Sequence, residues 1–208
     1  MPRPTGGLRL NRVTANPQPV FTETFRHSVI TLTGGFASAV LGCTMDSIAQ
    51  LSQYSNLYQR YRILKASWLV MPQVTSYDVV TVPFTSNYQT CPRVVYAIND
   101  TSPIVNTGPV IPPNEAALLQ QNGCKIRMGD KPIRILNHPA PQLLDQVNQT
   151  TPVFDFRRKW ITFPSGPNIT HWGVAMTFSN TGVFNAPNTV DPSYVVYCKL
   201  TFQLADPR

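Results

Sequence analysis

The sequence predicts an all-β fold: an eight-stranded antiparallel jelly-roll sandwich with one or two short helices in its loops. Three observations carry that expectation. Among 208 residues there are 20 prolines, and only 13% are charged, where soluble domains average about 5% and about 25%. Such a chain does not build a helix-rich surface solubilised by Lys and Glu. Its 42% hydrophobic and 10% aromatic content is nevertheless too high for a disordered chain. Finally, the clearest apolar pattern, near the C-terminus, has period two, and no strand–helix alternation points to a parallel sheet. The length suits one domain with a sizeable core. We expect residues 1–19 to be a basic, proline-containing arm and residues 20–208 a single domain. So few charges also imply that partners cover much of the outside.

The elements follow in order. Pro2, Pro4, Pro17 and Pro19 prevent regular structure in the arm, where Arg3, Arg9 and Arg12 have no acidic neighbour. From Val20 a strand is predicted, with Phe21, Phe25, Val29 and Thr31 on one parity. Gly34-Gly35 turns the chain into a second strand, Phe36 to Cys43. A helical interval follows, with Asp46 as its N-cap and Ile48, Leu51, Tyr54 or Ser55, and Tyr58 as its stripe. A strand from Tyr61 to Met71 ends at Pro72, and another spans Arg93 to Ile98. Asn114 should cap a short helix to Gln121, which Gly123 stops. Cys124 to Leu136 is interrupted by the turn signal Gly129-Asp130-Lys131-Pro132. Phe154 to Phe163 is closed by Pro164. The last two strands, Trp172 to Phe178 and Tyr194 to Leu204, alternate as half-buried strands do. About eight strands with long Pro- and Asn-rich loops and no internal repeat make a jelly roll, an architecture shared by viral capsids, lectins and cupins.

Chemistry leaves few marks. There is no G-x-S-x-G elbow, phosphate-binding loop or dinucleotide fingerprint. His27, His138 and His171 are isolated, so the His-x-His pair of a metal-dependent cupin is missing, and Asp145 and Asp155 have no acid–base context. We expect no catalysis, no cofactor and no metal. Cys43, Cys91, Cys124 and Cys198 form no C-x-x-C pair and read as free thiols of a reducing compartment. The sequons at Asn99, Asn148 and Asn168 read as chance, because the N-terminus lacks the apolar stretch of a secretion signal. No apolar run approaches the roughly 18 residues of a membrane helix, so membrane insertion is not expected.

The basic residues say more. Against 10 acidic residues stand 17 Lys and Arg, for a net charge of +7. They cluster as Arg60, Arg62 and Lys65, as Lys125, Arg127, Lys131 and Arg134, and as Arg157-Arg158-Lys159. Tyr58 and Tyr61 flank the first group, and Phe156 and Trp160 the last. Cations interleaved with rings suit single-stranded nucleic acid, where phosphates meet Lys and Arg and bases stack on π faces. Alternating rings also describe a strand with one buried face, and Phe154, Phe156 and Trp160 are expected in the core. The arm arginines have no structural task and read as nucleic-acid contacts.

Tyr58-Gln59-Arg60-Tyr61-Arg62-Ile63-Leu64-Lys65 resembles the aromatic–Tyr–Arg–Ile–x–Lys strand in capsid proteins of circoviruses and related circular Rep-encoding single-stranded DNA viruses. Arg134 to Leu144, with its Pro139-Ala140-Pro141 step, is similar to their basic, proline-containing segment. Arg157-Arg158-Lys159-Trp160-Ile161 and His171-Trp172-Gly173-Val174-Ala175-Met176-Thr177-Phe178 resemble their basic-Trp strand and the strand after it. Tyr194 to Pro207 is similar to their terminal strand, so the likeness runs in order over roughly residues 55 to 208.

This resemblance implies one jelly roll, sixty copies of which (T=1) form a small icosahedral shell around circular single-stranded DNA. It also implies outer loops that contact a host receptor, often a sulfated glycan, and a virion protein that passes through the host nucleus during assembly. Packaging is expected to rest on Arg3, Arg9 and Arg12, with Arg26, Arg60, Arg62, Arg157, Arg158 and Lys159 as weaker candidates on the inner wall. The family's long arginine-rich arm is reduced here to three arginines. Sixty chains at +7 carry 60 × 7 = 420 positive charges, whereas 208 codons alone need 3 × 208 = 624 nucleotides, each with about one negative charge. Either a longer basic arm has been removed, or it lies elsewhere, or small cations supply the difference. The competing class is a lectin-like glycan-binding module, which predicts a discrete monomer or dimer.

Overall fold

Period-two alternation commits most of this chain to strands, and the burial of every second residue folds them into two facing sheets. The computed structural model describes residues 18–73, 80–82, 85–87, 92–98, 104–105, 108–109, 114–121, 123–144, 152–154, 160–164, 166–179 and 192–208. β1 (Val20–Thr31) and β2 (Phe36–Cys43) come first, followed by a 3-10 turn (Met45–Ser47), α1 (Leu51–Leu57) and the long β3 (Tyr58–Pro72). β4 (Val80–Val82) pairs with β5 (Thr85–Asn87), β6 (Arg93–Ile98) follows, and β7 (Ile104–Val105) pairs with β8 (Gly108–Pro109). After α2 (Glu115–Leu119) come β9 (Lys125–Met128), β10 (Ile133–Asn137), β11 (Ala140–Leu144), β12 (Pro152–Phe154), β13 (Ile161–Thr162), β14 (His171–Ser179) and β15 (Ser193–Pro207).

The first sheet has the order β1-β15-β3-β10, with β13 added to β3. In the second, β2 and β6 flank β14, β9 follows β6, and β11 and β12 extend from β14. All of these pairings are antiparallel. The eight long-range strands β1, β2, β3, β6, β9, β10, β14 and β15 therefore pass between two four-stranded layers, which is the predicted jelly roll.

The core lies between the layers. β15 turns Tyr194, Val196, Cys198, Leu200, Phe202 and Leu204 inward, and β3 turns Tyr61, Ile63, Ala66, Trp68 and Val70 inward. Trp68 is completely buried, and its indole N–H donates to Asn137 Oδ1 at 2.9 Å. The Tyr61 hydroxyl donates to the Gly166 carbonyl. Phe21, Tyr54 and Phe202 pack ring to ring with centroids 5.0 to 5.9 Å apart, closing the α1 end.

Several expectations are corrected. β1 does not keep one parity: a bulge between Arg26 and Ser28 turns Ile30 inward and leaves Val29 43% exposed. Asp46 caps no α-helix; it lies in the 3-10 turn, α1 starts at Leu51 behind Gln50, and Tyr58 already belongs to β3. The aromatic and β-favouring residues from Tyr58 onward win that boundary for the sheet. Phe154 to Phe163 is not one strand. β12 pairs with β11 and β13 with β3, in different sheets, and 155–159 lies outside the described residues. The last two strands also differ. β15 is half-buried as predicted, but in β14 residues 173 to 178 are all buried.

Two turns hold as expected. Asn114 caps α2, its Oδ1 accepting from the Ala117 N–H at 2.8 Å. At Gly129 the chain leaves β9 in the second sheet and enters β10 in the first. Its N–H donates to the Pro92 carbonyl at 2.7 Å, and a Cβ there would lie 2.2 Å from the Tyr194 hydroxyl, so only glycine fits.

Candidate nucleic-acid interface

When one parity of β15 fills the core, the other parity, Val195, Tyr197, Lys199, Thr201 and Gln203, must face outward. Register then sets the outer face of the first sheet, row by row. One row runs Arg26, Tyr197, Leu69, Arg134, and the next Thr24, Lys199, Ser67, Leu136. Below them lie Thr22, Thr201, Lys65, and then Val20, Gln203, Arg62. Arg60 follows beside Ala205. Six cations that are scattered through the sequence thus share one surface, with Arg26 and Arg134 separated by three strand spacings of about 4.8 Å each.

The only carboxylate among the described residues of these rows is Asp206. Glu23 points the other way and accepts a hydrogen bond from the Tyr54 hydroxyl at 2.6 Å. Burial, helped by that carboxylate, pushes the Tyr54 hydroxyl up to about 12. Asp206 accepts from Arg60 Nε, and this hydrogen bond holds its carboxyl below the usual carboxylate range. Arg60 therefore brings an offset charge to the face. Arg62 donates through Nε and Nη2 to Gln203 Oε1 at 2.8 and 2.6 Å, and its guanidinium lies 4.5 Å from the centroid of the Trp160 ring. Trp160 is half-buried and covers Arg62, which corrects its expected place in the core. Arg26, Lys65, Arg134 and Lys199 have no side-chain partner among the described residues.

A concavity of about 510 Å³ opens on this face, lined by Thr24, Ser67, Leu69, Met71, Arg134, Tyr197 and Lys199. Past the β10 edge a second, of about 560 Å³, includes Arg127, Lys131 and Arg134, with Asp130 offsetting one charge. Basic character therefore continues around the sheet edge.

The outer face of the second sheet is different. Leu118 of α2 is buried on Val95, Ala97 and Ala175, and Arg93 Nε donates to Glu115 Oε1 at 2.7 Å. α2 covers the middle of that face, and Arg93 beside the helix is paired.

Of the residues expected to contact nucleic acid, the structure brings together Arg26, Arg60 and Arg62. Arg3, Arg9, Arg12, Arg157, Arg158 and Lys159 lie outside the described residues, as do Phe156, Asp145 and Asp155. Sequence reasoning grouped Lys65 with Arg60 and Arg62 without naming it as a contact, placed Arg134 in a separate cluster, and missed Lys199 altogether. The signal was present in the polar parity of the final strand, but only the register shows which strands lie beside it.

The histidines serve the fold. His27 Nε2–H donates to the Gly42 carbonyl at 2.7 Å, joining the two sheets, and its ring stands edge-on to Trp68. His171 is buried, and its Nδ1–H donates to the Ile169 carbonyl at 3.0 Å; burial lowers it to about 4. Cys43 and Cys198 are free buried thiols from opposite sheets, Cys43 being raised by its hydrogen bond to Cys198 and by burial. Among the described residues no three His, Cys, Asp or Glu side chains converge on one point.

A family model described as circovirus capsid protein matches residues 3–207. Among solved structures, the 60-mer BFDV capsid protein superposes with a TM-score of 0.57 at 17% identity, covering 91% of this chain and 95% of that one. The decameric BFDV capsid protein gives 0.53 at 16% identity, covering 91% and 98%. A chain of the semi-empty VLP of giant freshwater prawn Macrobrachium rosenbergii nodavirus gives 0.50 at 15%, covering 95% and 97%. At these identities the structural likeness is one of fold. No curated protein matches the chain.

Proposed function

Because this chain belongs to the circovirus capsid protein family, we propose that sixty copies close into an icosahedral shell around circular single-stranded DNA. The bare basic face of the first sheet turns inward. The long loops between the sheets turn outward, where they attach to a sulfated glycan or another host receptor. The role is structural, without a catalytic step.

One observation carries this reading: Arg26, Lys65, Arg134 and Lys199 share one sheet face without side-chain partners among the described residues. Unpaired cations on a flat surface repel one another and weaken the compact state unless a polyanion lies on them. DNA phosphates supply that charge and release counterions on binding. Closed symmetry accounts for the low share of charged residues, because each subunit buries surface against its neighbours. The assemblies of the BFDV capsid protein as a 60-mer and a decamer support the same expectation for this chain.

Negative-stain imaging of the purified full chain tests assembly, and nuclease digestion of the particles tests their content. Uniform shells that protect single-stranded DNA are expected. Monomers and small oligomers in every buffer would remove the shell. Empty shells that never retain nucleic acid would remove the packaging role.

A further inference from the structure

We infer that the concavity on the basic sheet face is a nucleotide pocket, in which Tyr197 stacks an unpaired base while Arg134 and Lys199 hold the flanking phosphates. The inference rests on the packaging reading and adds a specific ligand, a single-stranded deoxynucleotide with its base turned toward the sheet.

Tyr197 sits in the middle of the face, next to Arg26 on one strand and Leu69 on the other, with Lys199 two residues along its own strand. It is half-buried, yet its ring and hydroxyl have no partner among the described residues. Several other rings of the sandwich have ring partners: Tyr54, Tyr61 and Tyr194 pack against Phe202, Phe163 and Phe178. A ring left unstacked between three cations is the element that base stacking requires. The concavity measures about 510 Å³, within the range of about 300 to 1,000 Å³ typical of small-ligand sites.

Leu69 supplies apolar floor beside the ring. The hydroxyls of Ser67 and Thr24 lie in the neighbouring row and line the same hollow. Each can donate or accept, so they meet the edge of any base without choosing strongly among them. A duplex keeps its bases stacked on each other and cannot place one on Tyr197. The pocket therefore selects single strands by form, as a capsid indifferent to sequence would need.

The test uses the full chain with a ten-nucleotide single strand carrying a central 2-aminopurine, and a duplex of equal length. Stacking on Tyr197 should quench the probe. Tyr197→Leu should abolish the quench and weaken single-strand binding about tenfold, leaving duplex affinity and salt dependence unchanged. Tyr197→Phe keeps the ring and should behave as the parent, which separates loss of stacking from loss of fold. Arg134→Gln and Lys199→Gln should each lower the salt slope by about one. If these two lower the slope while Tyr197→Leu binds single strands as the parent does, the face binds DNA and the pocket is wrong. If neither charge variant changes the slope, the packaging reading fails together with the pocket.

Discussion

The two sheets face each other across one core but present opposite outer surfaces. On the second, Ala175 and Ala97 are small, and Leu118 of α2 lies buried over both. On the first, the outward positions carry Arg26, Lys65, Arg134 and Lys199, with no helix among the described residues across the rows they occupy. A strand's outward parity therefore states what it meets. Small residues lie under a helix of the same chain, and cations without a side-chain partner among the described residues mark a surface suited to a polyanion. Each experiment below sets inner against outer surface, or covered against bare.

The largest effect should come from the inner surface of the first sheet. Trp68→Ala empties a fully buried site and leaves the Asn137 amide without its donor, which should cost about 3–5 kcal/mol in chemical denaturation. Leu69→Ala, one residue on and facing outward, should cost less than about 1 kcal/mol. Equal losses would mean that the alternation does not separate core from surface. On the second sheet, Leu118→Ala should cost about 3 kcal/mol because Leu118 is completely buried on the sheet. A loss within about 0.5 kcal/mol would reduce α2 to an ornament, and the contrast between covered and bare faces would go with it.

How legible these surfaces were in the sequence depends on what each element needs from distant residues. β15 was the most readable strand, because a central strand with one wet face alternates, here from Ser193 to Leu200, before a bulge after Thr201 breaks the pattern. β14 showed the same alternation but is buried on both faces, since α2 arrives from more than fifty residues away in sequence. Ala175 was the one local hint of a covered face; Gly173 lies at the bulge after Trp172 and approaches Asn137 instead. The bulge at His27 was invisible because an extra residue looks like continued strand until the partner register is known. The candidate site suffered most. Arg62 and Lys199 are 137 positions apart in sequence, and only the pairing of β3 with β15 places them together.

Acid should weaken the end where the sheets are tied together. Burial lowers both His27 and His171, the latter to about 4, against about 6.5 for an unfolded chain. The folded protein keeps both rings neutral, and the unfolded chain takes up protons first as pH falls. Stability should thus be fullest above about pH 6.5 and decline down to about pH 4, with His171 alone contributing about 3 kcal/mol to the fall. Denaturation curves between pH 7 and 4 measure it. His171→Gln should flatten the decline, and a parent profile that is already flat would contradict the buried neutral ring. The loss would be felt between the sheets, because His27 reaches the Gly42 carbonyl from the opposite layer.

The smallest change in stability should separate the two outer faces most cleanly. Lys65 is exposed on the bare face with no side-chain partner among the described residues, whereas Arg93 is paired with Glu115 beside the covered one. Lys65→Gln and Arg93→Gln each remove one positive charge, so a chain that attracts DNA only through its net charge would respond to both alike. If the bare face lies on the phosphates, Lys65→Gln should lower the salt slope of single-strand binding by about one while stability stays within about 0.5 kcal/mol. Arg93→Gln should leave the slope unchanged, since its charge is already satisfied and lies by the other sheet. Salt-titrated anisotropy on the two variants makes the comparison. Equal shifts would spread the DNA contact over the whole molecule and end the distinction between the faces; a shift confined to Lys65 would assign the polyanion to one sheet.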